Sequence, residues 1–404
     1  MNTSSNPAAT SVDEVIALLR ALCQPLPPER IPLGEALNRV LREAIGAPED
    51  QPAFDRSSVD GFAVRWDDPG PTFQIVDDLR AGDWKPRQIQ PGDCVRIATG
   101  GALPCADLRV VMKEDAAVEG PKLRVLHQDA SRNIRFRGED AREGQTLLES
   151  GTVLRPGPLG LLASLGHTRP LVTRRPHALH LATGNEIIPP DQTPQPGQIR
   201  DSNSTLVRAF LQEWGVLPTQ RRIPEDPQSE ICNLQSEIQS VDLLLISGGA
   251  SVGEHDGTRR LLERLGYDIR VSKTNARPGK PLLVAQRGDQ LAFGLPGNPL
   301  AHFVCLNLFV RVALEAWSGT RSETSFRRGV LASDLEVKGQ SGEVFWPAYA
   351  HQRDDRVWLT PLRWSSSGDL TALATANALL RLRAEGEKPA VGGQVDFLGT
   401  MPGL

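Results

Sequence analysis

Residues 245–258, LISGGASVGEHDGT, combine two chemistries that repel each other. Gly248, Gly249 and Gly253 let a backbone come close to a ligand, and the turn's amides and the hydroxyls of Ser247 and Ser251 can donate to phosphate oxygens. Glu254 and Asp256 follow at once, and a phosphate beside two carboxylates is repelled unless a cation lies between them. The competing reading is a tight strand-to-helix connection whose glycines serve only positive φ. The motif alone leaves both open.

Three further turns raise the weight of the first reading. ATGNE (182–186) ends a predicted strand and offers Glu186 as a carboxylate. ARPGKP (276–281) sets Arg277 and Lys280 around a Pro-Gly turn, at a spacing that suits an oxyanion. GLPGNP (294–299) brings Pro296, Gly297, Asn298 and Pro299 to the end of another strand. Each alone reads equally as surface polarity in a turn, but several polar strand-to-helix turns at one end of one sheet rarely coincide. In the N-terminal third, PAFDRSSVDGFAVR (52–65, with Asp60), IATGGALP (97–104, with Thr99) and NIRFRGED (133–140) crowd polar groups into turns, which a solvated loop explains as well as a site does.

The elements that must position these residues follow from periodicity. Residues 11–22 open with the capping box Ser11…Glu14 and put Val12, Val15, Ile16, Leu19 and Leu22 on one helical face. A second amphipathic segment, GEALNRVLREAIGAP, ends at Gly46 and Pro48. Short runs such as FQIVDDL, CVRIATG and RVVMKED then read as strands of a β-rich domain. From residue 179 to about 318, strands (179–183, 219–223, 241–246, 268–272, 281–285, 290–294) alternate with helices (202–214, 228–239, 258–265), the pattern of a parallel sheet covered on both faces. Beyond residue 322, RRGVLAS, EVFWPAYA, RVWLTPL, NALLRLRA and PAVGGQVDFLG predict a small β-barrel. The expected boundaries are 11–50 with 145–176 for a discontinuous helical and linker domain, 51–144 for the β-rich domain, 177–322 for the α/β domain and 323–404 for the barrel.

Composition narrows the functional classes. The 404 residues carry 45 Lys plus Arg against 49 Asp plus Glu, a net charge of −4, which leaves no nucleic-acid footprint and no polybasic membrane patch. Five scattered cysteines without C-x-x-C argue against zinc ribbons and disulfide frameworks and for reduced thiols in a cytoplasm. The apolar run FVCLNLFVRVAL is broken by Asn307 and Arg311, so no membrane span is expected. His177 and His180 have zinc-like spacing but open a strand, where they face opposite ways and read as structural. P-loop, nucleophile-elbow and first-turn dinucleotide fingerprints are missing.

Taken in order, DRSSVDGFAVR, IATGGALP, NIRFRGED, ATGNEI, DSNS, SGGASVGEHD, RPGKP, GLPGNP and SSSGDLTALATANALL resemble the molybdopterin molybdenumtransferase family, known as MoeA and as the E domain of gephyrin. The likeness runs from about residue 11 to 399. It implies a homodimer of four-domain subunits, with the active site in a cleft between the α/β domain of one subunit and the β-rich domain of the other. It implies Mg²⁺-dependent insertion of molybdate into adenylylated molybdopterin with release of AMP, and a molybdopterin adenylyltransferase as upstream partner.

Carried onto this chain, the resemblance assigns Asp60 and Thr99 to the β-rich wall of the cleft, and Asp226 (in IPEDP), Asp256 and Glu186 to the acids of the α/β wall, the last two as metal ligands. Arg277 and Lys280 match the basic turn, and Ser367 matches a serine tied to molybdate or substrate. Three positions depart from the family pattern: Asn185 stands where an aspartate is usual, Arg277 where a lysine is usual, and Ala250 where a valine is usual. The alternative reading is a non-catalytic pterin-binding or scaffold homologue; a related pterin- or nucleotide-processing hydrolase is disfavoured by the N- and C-terminal motifs, which an α/β domain alone would not require.

Overall fold

A computed structural model describes residues 9–80, 82–127, 130–224, 231–248, 254–320, 326–335, 342–384 and 389–400, the side chains of residues 254–256 excepted. The chain forms two compact units, one of residues 43–150 and 157–168, the other of the remainder.

The smaller unit is built on a six-stranded mixed sheet in the order Leu108–Met112, Gly61–Arg65, Asp93–Ile97, Thr72–Leu79, Lys122–Val125, Ala116–Glu119. Alternation along these strands fills two cores. Ala63, Val95, Ile97 and Val110 pack on one face, and Phe62, Val64, Cys94 and Val111 on the other.

In the larger unit, six strands form the sheet that carries most of the predicted site residues. They are β1 (Ala178–Thr183), β2 (Thr219–Ile223), β3 (Leu243–Ser247), β4 (Asp268–Val271), β5 (Leu283–Arg287) and β6 (Gln290–Leu295), in the order β2-β1-β3-β6-β5-β4. β2, β1, β3 and β6 run parallel as expected. The departure is β5, which runs antiparallel to both β6 and β4, because only two residues, Gly288 and Asp289, separate it from β6 and no crossover fits in so short a connection. This reversal also brings the β4–β5 connection, which contains RPGKP, to the carboxyl end of the parallel strands.

Helices cover both faces. Val207, Phe210 and Leu211 of the helix Asn203–Glu213 join Leu243, Leu245, Leu291 and Phe293 on one side; Leu234, Leu261 and Leu262 join Leu179, Leu181, Leu244 and Ile246 on the other. Burying a leucine of this kind contributes roughly 2 kcal/mol. The N-terminal helix Val12–Leu22, with the expected capping box, packs on the first of these faces through Val12, Val15 and Leu19. Pro299–Ser318 is, among the described residues, the one stretch of helix long and apolar enough to cross a membrane; it is 89% buried and lies in that same core.

Five C-terminal strands close into a barrel, as predicted: Glu343–Arg353 pairs with Arg356–Pro361 and with Ala378–Leu382, and Arg327–Leu331 with Gln394–Gly399 completes the ring. Buried Arg381 ties it to the N-terminal helix, donating to Glu343 (2.6 Å) and Asp13 (2.8 Å).

The amphipathic segment GEALNRVLREAIGAP does not continue as helix. It gives one 3-10 turn, Leu33–Glu35, and then extends. Asn38 sits at φ 62°, and buried Val40 and Leu41 bridge to Val153 and Val172, so tertiary pairing overrides a helical pattern.

Candidate functional site

The described site residues predicted in the α/β domain lie at or beyond the carboxyl ends of strands: Glu186 follows β1, Ser247 and Gly248 end and follow β3, Arg277 and Lys280 follow β4, and Pro296–Pro299 follow β6. Strand order reverses between β1 and β3, where open α/β sheets hold their ligands. Asp226, Gly249, Ser251 and Gly253 lie outside the described residues, as does the side chain of Asp256, although the helix that carries it begins at Glu254, earlier than the predicted 258.

At the β1–β3 crevice, Thr183 Oγ1 donates to the Ser247 carbonyl (3.2 Å) and so fixes the start of the glycine turn. A Cβ on Gly248 would come within 3.2 Å of the hydroxyls of both Thr183 and Thr258, so a larger side chain would require both to give way. Gly184, at φ 133°, lies under the Glu186 carboxylate, whose oxygens sit 2.8 and 2.9 Å from where a Cβ would be. Among the described residues no cation pairs with that carboxylate, and no group of three or more His, Cys, Asp or Glu side chains gathers.

The RPGKP turn exposes both cations, and among the described residues neither Arg277 nor Lys280 has a carboxylate partner. Its backbone is held from beneath: Thr274 N donates to the Lys280 carbonyl (3.0 Å), and Gly279, at φ 123°, lies where a Cβ would meet Cys305 Sγ at 3.1 Å. The GLPGNP turn is fixed by two buried side chains, one inside the DSNS motif and one that the sequence did not single out. Asn203 Nδ2 donates to the Gly297 carbonyl (2.7 Å), and His302 Nδ1 lies 3.0 Å from the Pro296 carbonyl. Burial pushes His302 down to about 4, against the opposing pull of the Pro296 carbonyl and Asp201, so the ring is neutral and Nδ1 is the donor. Asn298 Nδ2 in turn donates to Ser367 Oγ (2.8 Å), and Leu300 N to the Ser367 carbonyl (3.0 Å), joining two predicted site residues that are far apart in sequence. The adjacent Asp369 is held down to about 2 by donors from Thr371 and Ser365.

In the smaller unit the three polar motifs also converge. Ile134–Arg135 pairs with Arg56–Ser57, and Ser57 exchanges backbone bonds with Gly100 and Gly101 (2.8 and 2.9 Å). Asp60 Oδ1 accepts from Thr99 N (2.8 Å) and Thr99 Oγ1 (3.0 Å), while Lys113 Nζ lies 3.3 Å from Oδ2. These bonds, the Thr99 amide first, hold Asp60 below the usual carboxylate range. Lys113 escaped sequence reading; the pairing of Gly61 with Met112 is what places it beside Asp60.

Comparison with known proteins identifies the family. Residues 10–166 match the MoeA N-terminal region (domain I and II), 180–316 a probable molybdopterin binding domain, and 328–399 the MoeA C-terminal region (domain IV). A molybdopterin molybdenumtransferase of Bacillus subtilis is 34% identical over 368 residues, 88% of this chain and 85% of that protein. One of Staphylococcus aureus is 29% identical over 390 residues, covering 93% and 92% of the two chains. The crystal structure of the molybdopterin biosynthesis moeA protein of Pyrococcus horikoshii superposes with a TM-score of 0.80 at 26% identity, covering 97% of this chain and all of that one. With three family regions in the expected order and a relative this similar over most of both lengths, the chain belongs to the molybdopterin molybdenumtransferases, transferases of molybdenum cofactor biosynthesis.

Proposed function

We propose that this chain inserts molybdate into the dithiolene of adenylylated molybdopterin and releases AMP in a Mg²⁺-dependent reaction, as a cytoplasmic homodimer supplied by a molybdopterin adenylyltransferase. The observation that carries the reading is the meeting of unlike groups at one end of one sheet: a glycine turn between two threonine hydroxyls, two exposed cations without a carboxylate partner among the described residues, and a carboxylate without a cation.

The division of labour follows from charge. The amide and hydroxyl groups at Ser247 and Gly248 receive the phosphate of the pterin, and Arg277 and Lys280 hold the molybdate dianion near the dithiolene. Asn298 orients Ser367 through its 2.8 Å bond, leaving that hydroxyl's proton free to meet molybdate. Mg²⁺ favours one or two carboxylates plus substrate phosphate oxygens, and Glu186 with Asp256 fits that donor set. When bound, the ion would offset charge on the pyrophosphate as AMP departs. Asp60 and Thr99 of the second subunit form the opposite wall, with Asp60 ionised at neutral pH by its three donors.

Purified protein given adenylylated molybdopterin, molybdate and Mg²⁺ should release AMP and yield active cofactor; no AMP under these conditions would sink the proposal. A scaffold reading draws on Asn185, an amide where the family has an acid. Calorimetry separates the two, since a scaffold binds the pterin without Mg²⁺-dependent turnover.

A further inference from the structure

Beneath the glycine turn runs a hydrogen-bonded chain whose every proton can be assigned. Arg208 Nε donates to Gln220 Oε1 (2.8 Å), and an arginine can only donate, so the amide orientation is fixed. Gln220 Nε2 then gives one proton to the Ser204 carbonyl (2.8 Å) and the other to His180 Nδ1 (3.1 Å). With Nδ1 accepting, the neutral ring carries its proton on Nε2, which lies 2.7 Å from Ser247 Oγ. Burial, with a smaller push from His302, drives His180 down to about 3 and keeps the ring singly protonated at neutral pH. His180 is fully buried and Ser247 is 2% exposed, so neither has bulk water as an alternative partner.

We propose that His180 is a positioning residue of the substrate turn: held as the Nε2–H tautomer by Gln220, it occupies the acceptor side of Ser247 Oγ and so dedicates the Ser247 proton to a phosphate oxygen of the bound pterin. Among the described residues that hydroxyl donates to nothing. A buried donor without an acceptor is costly, and a ligand oxygen that receives the proton relieves the cost on binding. A histidine of the other tautomer would do the reverse, drawing the serine proton inward and presenting a lone pair to an anion. This inference rests on the reading of Ser247 as part of the molybdopterin cradle.

The tautomer is read directly from ¹⁵N-labelled histidine by long-range ¹H–¹⁵N NMR of the full chain without ligand. The expected pattern has a protonated Nε2 and an unprotonated Nδ1, and a protonated Nδ1 overturns the proposal. Molybdopterin titration then tests the consequence. Ser247→Ala should weaken Kd roughly tenfold, the scale of one hydrogen bond to a charged group. His180→Leu should weaken it about fivefold in the presence of Ser247, since only preorganisation is lost, and add nothing in the Ser247→Ala background. His180→Gln, whose amide can still donate to Ser247, should restore Kd to within about twofold. Thermal midpoints recorded alongside separate a merely structural role, which would lower the midpoint in both His180 variants and leave Kd unmoved; that result, or a Ser247→Ala protein of unchanged Kd, overturns the proposal. If His180→Leu fails to fold, the NMR pattern and the Gln variant still decide. A wild-type protein that binds no molybdopterin would instead refute the reading of the cradle, while the NMR pattern would still report the histidine.

Discussion

The two polar clusters of this protein solve opposite electrostatic problems. In the smaller unit Asp60 is complete within its own chain: two donors from Thr99 and the Lys113 ammonium satisfy an exposed carboxylate. At the carboxyl end of the α/β sheet, Arg277, Lys280 and Glu186 are positioned but unanswered by opposite charge among the described residues. A satisfied cluster has a fixed shape and charge before any ligand arrives. An unsatisfied one gains by taking up ligand, because its groups are held in place before an anion or a cation arrives.

The contrast breaks most visibly at the unsatisfied end. Removing a preorganised cation from a site of developing charge costs on the order of 10²–10³ in turnover, so Lys280→Ala should lose that much molybdate-dependent AMP release with an unchanged thermal midpoint. A loss under threefold would mean that the turn's charge is only surface solvation.

At the satisfied end the effect is a shift rather than a loss. Asp60 has a depressed pKa, so it is ionised above that value and loses its charge as pH falls through it. Thr99→Val removes the hydroxyl donor and keeps the amide, so the pKa should rise toward the ordinary aspartate value. The acid limb of the pH–rate profile should move to higher pH with it. An unmoved limb would dissociate Asp60 from the reaction.

The smallest effect is on stability. His180 and His302 are buried neutral, with pKa values pushed down to about 3 and about 4, whereas the unfolded chain takes up these protons near pH 6.5. Their neutral forms favour the fold fully above that pH. The advantage falls as pH drops below it, by up to about 1.4 kcal/mol per unit for each ring, until the folded values are reached. Denaturant titrations between pH 6.5 and 4.5 should show a shallower slope in His302→Leu than in wild type, and equal slopes would mean the ring titrates in the native state.

The legible part of the fold was the part written in local pattern. β2 appears at its predicted residues, and the five barrel strands fall where the short apolar runs lie. The glycine, proline and hydroxyl turns announced the strand-end connections, but that Asn298 meets Ser367 was not legible from either motif. What stayed hidden depends on register between distant strands. Lys113 joins Asp60 only because Met112 pairs with Gly61, and His180 reaches Ser247 only because β1 lies beside β3. The antiparallel β5 and the extended run through Val40 and Leu41 are likewise set by partners far away in the chain.

The central claim is that the satisfied and unsatisfied clusters of two subunits make one site, and subunit complementation tests it most directly. Asp60→Ala and Asp256→Ala should each be inactive as homodimers of normal size. Unfolded together in equal amounts and reassembled, half the dimers carry one of each variant, and each of these restores one intact site of two. AMP release should therefore return to about a quarter of the wild-type rate. A mixture as inactive as its parents would contradict a site shared between subunits.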